Sequence, residues 1–345
     1  MSAEIDPIRV AIVGTGHWGR HHARAFAARS DVVLCGIAGR DAGRAAQRAE
    51  EFQTAPYTDI ERMIEHEKPD LVAVCLPDQH HFEATRRVIA SGTPLFVEKP
   101  LTYDLVEADT LIAEAEAQSL FFAINFNHRY AKPAVLAYEA ICEGRVGEII
   151  FVTRRFGTEG RPDHPFNCLI ETQCHGFDLL EHLCGPIISI MAQMTDKTHH
   201  GVYRTAALAL KFENGAVGTM LGSYDASHAH SDAQRLEICG TRGRVLVEDT
   251  VRRFTYSAQG NETAEVWQAG YFNDRDRSFH QTMDFHVADM LNHLRRGLPP
   301  PIHARAGRRA LRLALAAIES FREGRRVAVA NLDAANTKSF RIGLA

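Results

Sequence analysis

Three short stretches of this chain carry residue types, or the lack of a side chain, at spacings that serve chemistry. Gly14-Thr15-Gly16-His17-Trp18-Gly19 follows a β-branched run at 9–13 and opens a stretch of helical composition at 18–28. In a strand–turn–helix the first glycine allows the tight turn. The second lets the backbone approach a pyrophosphate, and the third lets helix and strand pack closely. The helix N-terminus then offers free N–H groups and a partial positive charge to the phosphates. The second stretch is Glu98-Lys99-Pro100, at the end of a strand-like run at 95–98. Pro100 restricts the backbone of Lys99 to extended geometry. A lysine held at a strand end can reach both a nicotinamide ribose and a substrate oxygen; the plainer alternative is an ordinary lysine in a turn. The third stretch is Glu171, His175, Asp178 and His182. Their spacings from 171 are 4, 7 and 11, one stripe of a helix. Leu179, Leu180 and Leu183 fall away from that stripe. Alone it reads as a solvated polar face. His–Asp–His at this spacing also suits zinc. Hydride transfer needs no metal and the chain has no further ligand signature, so no metal is expected.

The choice of dinucleotide turns on Gly39-Arg40-Asp41, which ends a second apolar run at 32–38. NAD sites usually place Asp or Glu there for the ribose hydroxyls. Gly39 takes that position, and Arg40, helped by Arg44, suits a 2′-phosphate. NAD(P) is expected, with NADP favoured. If Asp41 merely caps the next helix and Arg40 is solvated, NAD stays open.

These residues need a scaffold. Strand-like runs at 9–13, 32–38, 71–76, 95–98 and 120–126 alternate with helical stretches at 18–28, 41–52, 80–91 and 103–119. Continuous apolar strands between helices imply a parallel sheet covered on both faces, and right-handed crossovers make it a doubly wound Rossmann fold. Beyond about residue 130 a helix at 133–143, a strand at 148–156 and a helix at 171–183 precede consecutive strands at 187–193, 204–212, 216–224, 234–239 and 244–248. Asn214-Gly215 is a hairpin signal between two of them. Helices at about 281–296 and 305–323 follow. The fold class is therefore α/β: an N-terminal Rossmann domain, 1–128, and a C-terminal α+β domain with a largely antiparallel sheet, 129–345, whose last helices pack back on the first domain.

The 345 residues suit two domains. A formal net charge of -4 leaves no electrostatic footprint for nucleic acid or an anionic membrane. The seven cysteines are odd in number and form no CxxC pair, so reduced thiols and a cytoplasmic location are expected. The start, MSAEIDPIRVAIVG, has no basic leader pattern, and no apolar run approaches the roughly 18 residues of a membrane span.

The motifs together resemble the Gfo/Idh/MocA family of glucose-fructose oxidoreductase-like and inositol dehydrogenase-like enzymes. They are Gly14 to Gly19, Cys75-Leu76-Pro77-Asp78-Gln79-His80-His81, Gly92 to Pro100, Asn127-His128-Arg129-Tyr130, His175-x-x-Asp178-x-x-x-His182 before Gly185, Gly297-Leu298-Pro299-Pro300, Glu319-Ser320 and Gly324 to Val327. The resemblance implies hydride transfer between a nicotinamide cofactor and a secondary alcohol or ketone of a sugar or cyclic polyol. Lys99 would contact cofactor and reacting oxygen. Asp178 and His182 would complete the catalytic set, with His182 as proton acceptor or donor and Asp178 orienting it. At an ordinary pKa near 6.5 that imidazole would work around neutral pH. Asn127, His128 and His175 would lie around the substrate, and Leu76, Pro77, His81 and Glu98 on the nicotinamide side. The family's second domain commonly forms the oligomer interface, which implies a homodimer or homotetramer. Loops 157–169 and 270–279, with Arg161, His164 and His280, would tune substrate choice. The chain departs from the family at Gly39, and at Glu171 and Gln173, where many members are glycine-rich. Two alternatives are a non-redox glycosidase that uses NAD transiently and a dinucleotide-sensing regulatory protein.

Overall fold

The computed structural model describes residues 6–160, 164–197 and 201–330; Arg161 lies outside them. The chain divides into two compact units, residues 1–127 with 282–311 and residues 128–281 with 312–345.

The first unit runs β1 (Ile8–Val13), α1 (His17–Ala27), β2 (Val32–Ala38), α2 (Ala42–Glu51), β3 (Ala55–Tyr57), α3 (Ile60–Glu67), β4 (Leu71–Val74), α4 (His81–Ala90), β5 (Leu95–Val97), α5 (Leu105–Ala117) and β6 (Phe122–Ile124). Its six strands form a parallel sheet in the order β3-β2-β1-β4-β5-β6. The order reverses between β1 and β4, the switch point at which such sheets bind ligands. Val10, Ala11, Ile12 and all of β4 are fully buried, as strands covered on both faces must be. Asp41, Asp59 and Asp104 cap the helices that follow them, each accepting from a backbone N–H of the first turn. The sequence reading missed β3 and α3. Pro56 in a three-residue edge strand hides the strand signal, since proline cannot donate to a ladder.

The second unit contains α6 (Lys132–Cys142), β7 (Ile149–Gly157), α7 (Cys174–Cys184), β8 (Ile187–Thr195), β9 (Thr205–Phe212), β10 (Val217–Ser223), β11 (Gln234–Gly240), β12 (Gly243–Glu248), β13 (Arg253–Ala258), β14 (Glu265–Gln268) and the short α8 (Asp274–Arg277). A final β15 (Val327–Ala328) completes a nine-stranded sheet, β14-β13-β12-β11-β7-β10-β9-β8-β15. Only the central β7–β10 pair is parallel. Gly215 takes φ 92° in the turn joining β9 to β10. Along β9 the buried Ala206, Leu208, Leu210 and Phe212 alternate with the exposed Ala207 and Ala209, so one face is covered and the other open.

Residues 282–311, which a break at 128 alone would leave with the second part, belong to the first unit. In α9 (Gln281–Arg295), Met283, Val287, Met290 and Leu291 join Ile8, Val10, Phe26 and Phe96 in one core. Arg24–Asp284 and Arg295–Asp31 ion pairs flank them. A last helix, α10, spans Arg305–Glu323. Among the described residues no helix is long and apolar enough to cross a membrane.

Candidate active site

The glycine cradle behaves as its spacing demands. A Cβ on Gly14 would lie 2.2 Å from the Cys75 carbonyl oxygen, and one on Gly19 would lie 2.1 Å from that of Gly14. Both positions exclude a side chain because backbone passes there. A Cβ on Gly16 meets nothing within 4 Å. That is the glycine facing open space, where a pyrophosphate must come close. Gly16 also caps α1 with no side-chain hydrogen bond and no acidic residue in the first turn, so the helix end keeps its N–H groups for an anion. The residues therefore fit a dinucleotide. His17 and the 36% exposed Trp18 stand at this end, and His17 touches His21. Thr15 receives a hydrogen bond on its backbone oxygen from Arg48, a residue the sequence reading left out. Gly39 follows β2, and a Cβ there would lie 2.5 Å from the Thr15 methyl, so an aspartate does not fit without movement. Arg40 and Arg44 are exposed, while Asp41 caps α2.

At the end of β5, Glu98 and Lys99 are buried, 4% and 8% exposed. The Lys99–Pro100 peptide is cis. One Glu98 oxygen meets His22 Nε2 at 2.6 Å and the Asn125 amide at 2.7 Å; the other accepts from the Lys99 backbone N–H. Burial alone would raise this carboxyl, but the His22 hydrogen bond and charge, then Lys99, hold it below its ordinary value. His286 Nδ1 extends the chain to Asn125 at 3.0 Å. His22, Asn125 and His286 were not foreseen, because their role depends on contacts distant in sequence. His81 sits with its two ring nitrogens 2.7 Å from the Pro100 carbonyl and 2.8 Å from that of Leu76. It fastens two strand ends together. Pro77 is exposed beside them. Asn127 donates to Thr282 at 2.7 Å.

In the second unit the polar stripe is not a solvated face. His175 and Asp178 are 7% and 5% exposed. A π-helical turn, Cys168–Thr172, precedes α7, so Glu171 leaves the stripe that a continuous helix at 171–183 would give it. Its carboxylate accepts from Tyr224 and Thr172 instead. His175 stacks on His128, with centroids 4.1 Å apart. Asp178 does not orient His182. It holds Arg129 through two hydrogen bonds, one of 2.8 Å, and Arg129 Nη1 faces His182 Nδ1 at 3.4 Å. Burial lifts the Asp178 carboxyl while Arg129 pulls against it; burial lowers Arg129, but the carboxylate carries it above its ordinary value. The bidentate contact keeps the pair ionised. A guanidinium only donates, so His182 Nδ1 is the acceptor and Nε2 carries the ring proton. The ring also stacks on Tyr138 at 4.6 Å. Burial first, then Arg129, push the His182 pKa well below its ordinary 6.5. An imidazole poised at neutral pH is thus replaced by one that stays neutral. Arg129 belongs to the Asn127-His128-Arg129-Tyr130 motif, and its place directly after His128 was the signal available.

The sign of the linkage follows. Below about pH 6.5 the unfolded chain protonates this histidine and the folded one does not, so stability falls as pH drops from there. Urea midpoints measured from pH 7.5 to 5.5 should fall less steeply in His182→Gln than in the wild type. Parallel slopes would mean that His182 titrates normally.

Residues 8–126 match the model of an oxidoreductase family with an NAD-binding Rossmann fold, and residues 135–246 match the GFO/IDH/MocA C-terminal domain. The chain belongs to the Gfo/Idh/MocA oxidoreductase family. Among its relatives, myo-inositol 2-dehydrogenase of Thermotoga maritima is 25% identical over 93% of this chain and 98% of its own length. The NAD(+)-dependent scyllo-inositol 2-dehydrogenase of Bacillus subtilis is 23% identical over 92% and 95%. A levoglucosan dehydrogenase, solved with NADH and levoglucosan, superposes with a TM-score of 0.86 at 18% identity, covering 94% of this chain and all of that one. As a member of the Gfo/Idh/MocA family the chain is an oxidoreductase with a Rossmann domain and a mostly antiparallel second domain.

Proposed function

We propose that the enzyme moves a hydride between NAD(P) and a secondary alcohol or its ketone on a sugar or cyclic polyol. The observation that carries this reading is the buried Glu98–Lys99 turn at the end of β5 in a sheet whose Gly16 cradle is open to a pyrophosphate. The relatives named for inositols and levoglucosan support the substrate class.

When bound, the nicotinamide gives or takes the hydride. Gly14, Thr15, Gly16 and Gly19 with the α1 N-terminus hold the pyrophosphate, and Leu76, Pro77, His81 and Glu98 shape the nicotinamide side. In ketone reduction Lys99, as an ammonium, polarises the carbonyl oxygen and gives it a proton; in alcohol oxidation the same side chain, as a neutral amine, takes the hydroxyl proton. His182, neutral and protonated on Nε2, serves as a fixed hydrogen-bond donor. That role departs from the proton acceptor implied by the resemblance, because Nδ1, the one ring nitrogen without a proton, already accepts from Arg129. Arg129, held by Asp178, fixes the tautomer. Asn127, His128 and His175 line the substrate. Gly39 in place of a carboxylate and Arg40 beside it suit NADP, while Asp41 capping α2 and the exposure of Arg40 keep NAD open. All seven cysteines are free thiols, which suits the cytoplasm. Val217 and Leu221, 52% and 41% exposed on the open sheet face, suit burial in a homodimer or homotetramer.

The test follows nicotinamide absorbance over a panel of inositols, sugars and keto-sugars with both dinucleotides, running His182→Ala beside the wild type. Substrate-dependent turnover that drops in the variant is expected, with NADP preferred and that preference reduced about tenfold in Arg40→Ala. Tight dinucleotide binding without turnover on any member would defeat the reading in favour of a sensor.

A further inference from the structure

Arg154 is the group in the second unit that nothing above uses. It lies on β7 and is 5% exposed. Its Nε and Nη2 are buried without a hydrogen-bond partner among the described residues. Among the described residues it makes no ion pair, and no charged neighbour contributes to its shift; its guanidinium carbon lies 5.2 Å from the centre of the Phe156 ring. A buried charge normally finds a partner, because taking it out of water is costly. Burial has pushed this pKa down only to about 10, so the guanidinium stays charged at neutral pH.

The same guanidinium opens on a small cavity on the covered side of the sheet. Ala134, Leu179 and Val247 give it apolar walls, and His128, Gln234 and Thr250 give it polar ones; no acidic residue lines it. Gly176 of α7 adds space, since a Cβ there would already stand 3.4 Å from Arg154 Nε. A cation without a counter-ion, in a hole walled by donors and apolar groups, is complementary to one small negative group.

We propose that this cavity is an anion site built on Arg154, taking a single small anionic group: a halide or the carboxylate of a small acid. It lies beyond hydride transfer and stands or falls separately from that reading. The carboxylate has two sources, a free anion or an acidic substituent on a sugar. His128, which lines the cavity, ties the site to the residues proposed for substrate.

The experiment is thermal melting of the full chain in chloride or formate, with ionic strength held constant by a bulky sulfonate. The wild type should gain a saturable rise of about 2–5 °C. Arg154→Met should be flat, and in sulfonate alone should melt at or above the wild type, because the uncompensated charge is gone. Arg154→Lys should keep part of the response. A wild-type melting point indifferent to chloride and formate, or one that follows every anion alike, overturns the proposal even if the methionine variant does not fold. Turnover on hexuronates against their parent hexoses then separates the sources. Preference for the acid, competed by formate, assigns a substrate carboxylate, and equal use assigns a free anion.

Discussion

Replacing Lys99 by alanine lowers turnover by about 10²–10⁴-fold while NAD(P)H affinity changes by no more than a few-fold. The expectation follows from what the residue does and does not hold. Lys99 is 8% exposed at the end of β5, and its backbone N–H donates to Glu98. The turn is therefore fixed by main chain and by the Glu98–His22–Asn125 contacts, none of which needs the ammonium. Removing the ammonium deletes the charge that polarises the oxygen and the proton it exchanges, yet leaves the glycine cradle intact. Steady-state rates at saturating dinucleotide, with affinity read by quenching of tryptophan fluorescence, separate the two effects. Full turnover in the variant would remove Lys99 from the chemistry.

The second large effect is on stability. Asp178→Leu should cost about 3–5 kcal/mol, because it leaves the largely buried Arg129 guanidinium without its carboxylate. The side chains of the pair are 18% and 2% exposed, and the contact is bidentate. Removing both charges together, as Arg129→Met with Asp178→Leu, should return most of the loss, since the penalty lies in the orphaned charge and not in the missing attraction. Urea unfolding followed by circular dichroism measures all three variants and the wild type. A single variant within about 1 kcal/mol of the wild type, or a double variant worse than either single one, would show that the pair does not act as an internal unit. Activity should fall in each variant that lacks Arg129, because His182 Nδ1 then loses the donor that fixes its tautomer.

Much of this protein was legible from short range. The Gly14–Gly19 pattern, the alternation of apolar strands with helices and the Asn214-Gly215 turn are local statements about backbone geometry, and the Rossmann sheet and the mixed second sheet follow from them. Residue spacing also brought His175, Asp178 and His182 onto one helix. Their electrostatics were not legible. The Arg129–Asp178 contact joins residues 49 apart and the His22–Glu98 contact residues 76 apart. A sequence states which side chains exist but not which distant partner will share their burial. Thus Asp178 was expected to serve His182 and serves Arg129, and a histidine expected to titrate near neutrality is kept neutral. That the last helices pack back on the first domain was an expectation of the sequence; which residues return, 282–311, was fixed by contacts such as Met283, Val287 and Met290 completing a core begun more than 200 residues earlier. Sequence alone determined the scaffold and named the candidate reactive groups. The tertiary structure decided their protonation, because charge in a folded chain is set by burial and by neighbours that only folding supplies.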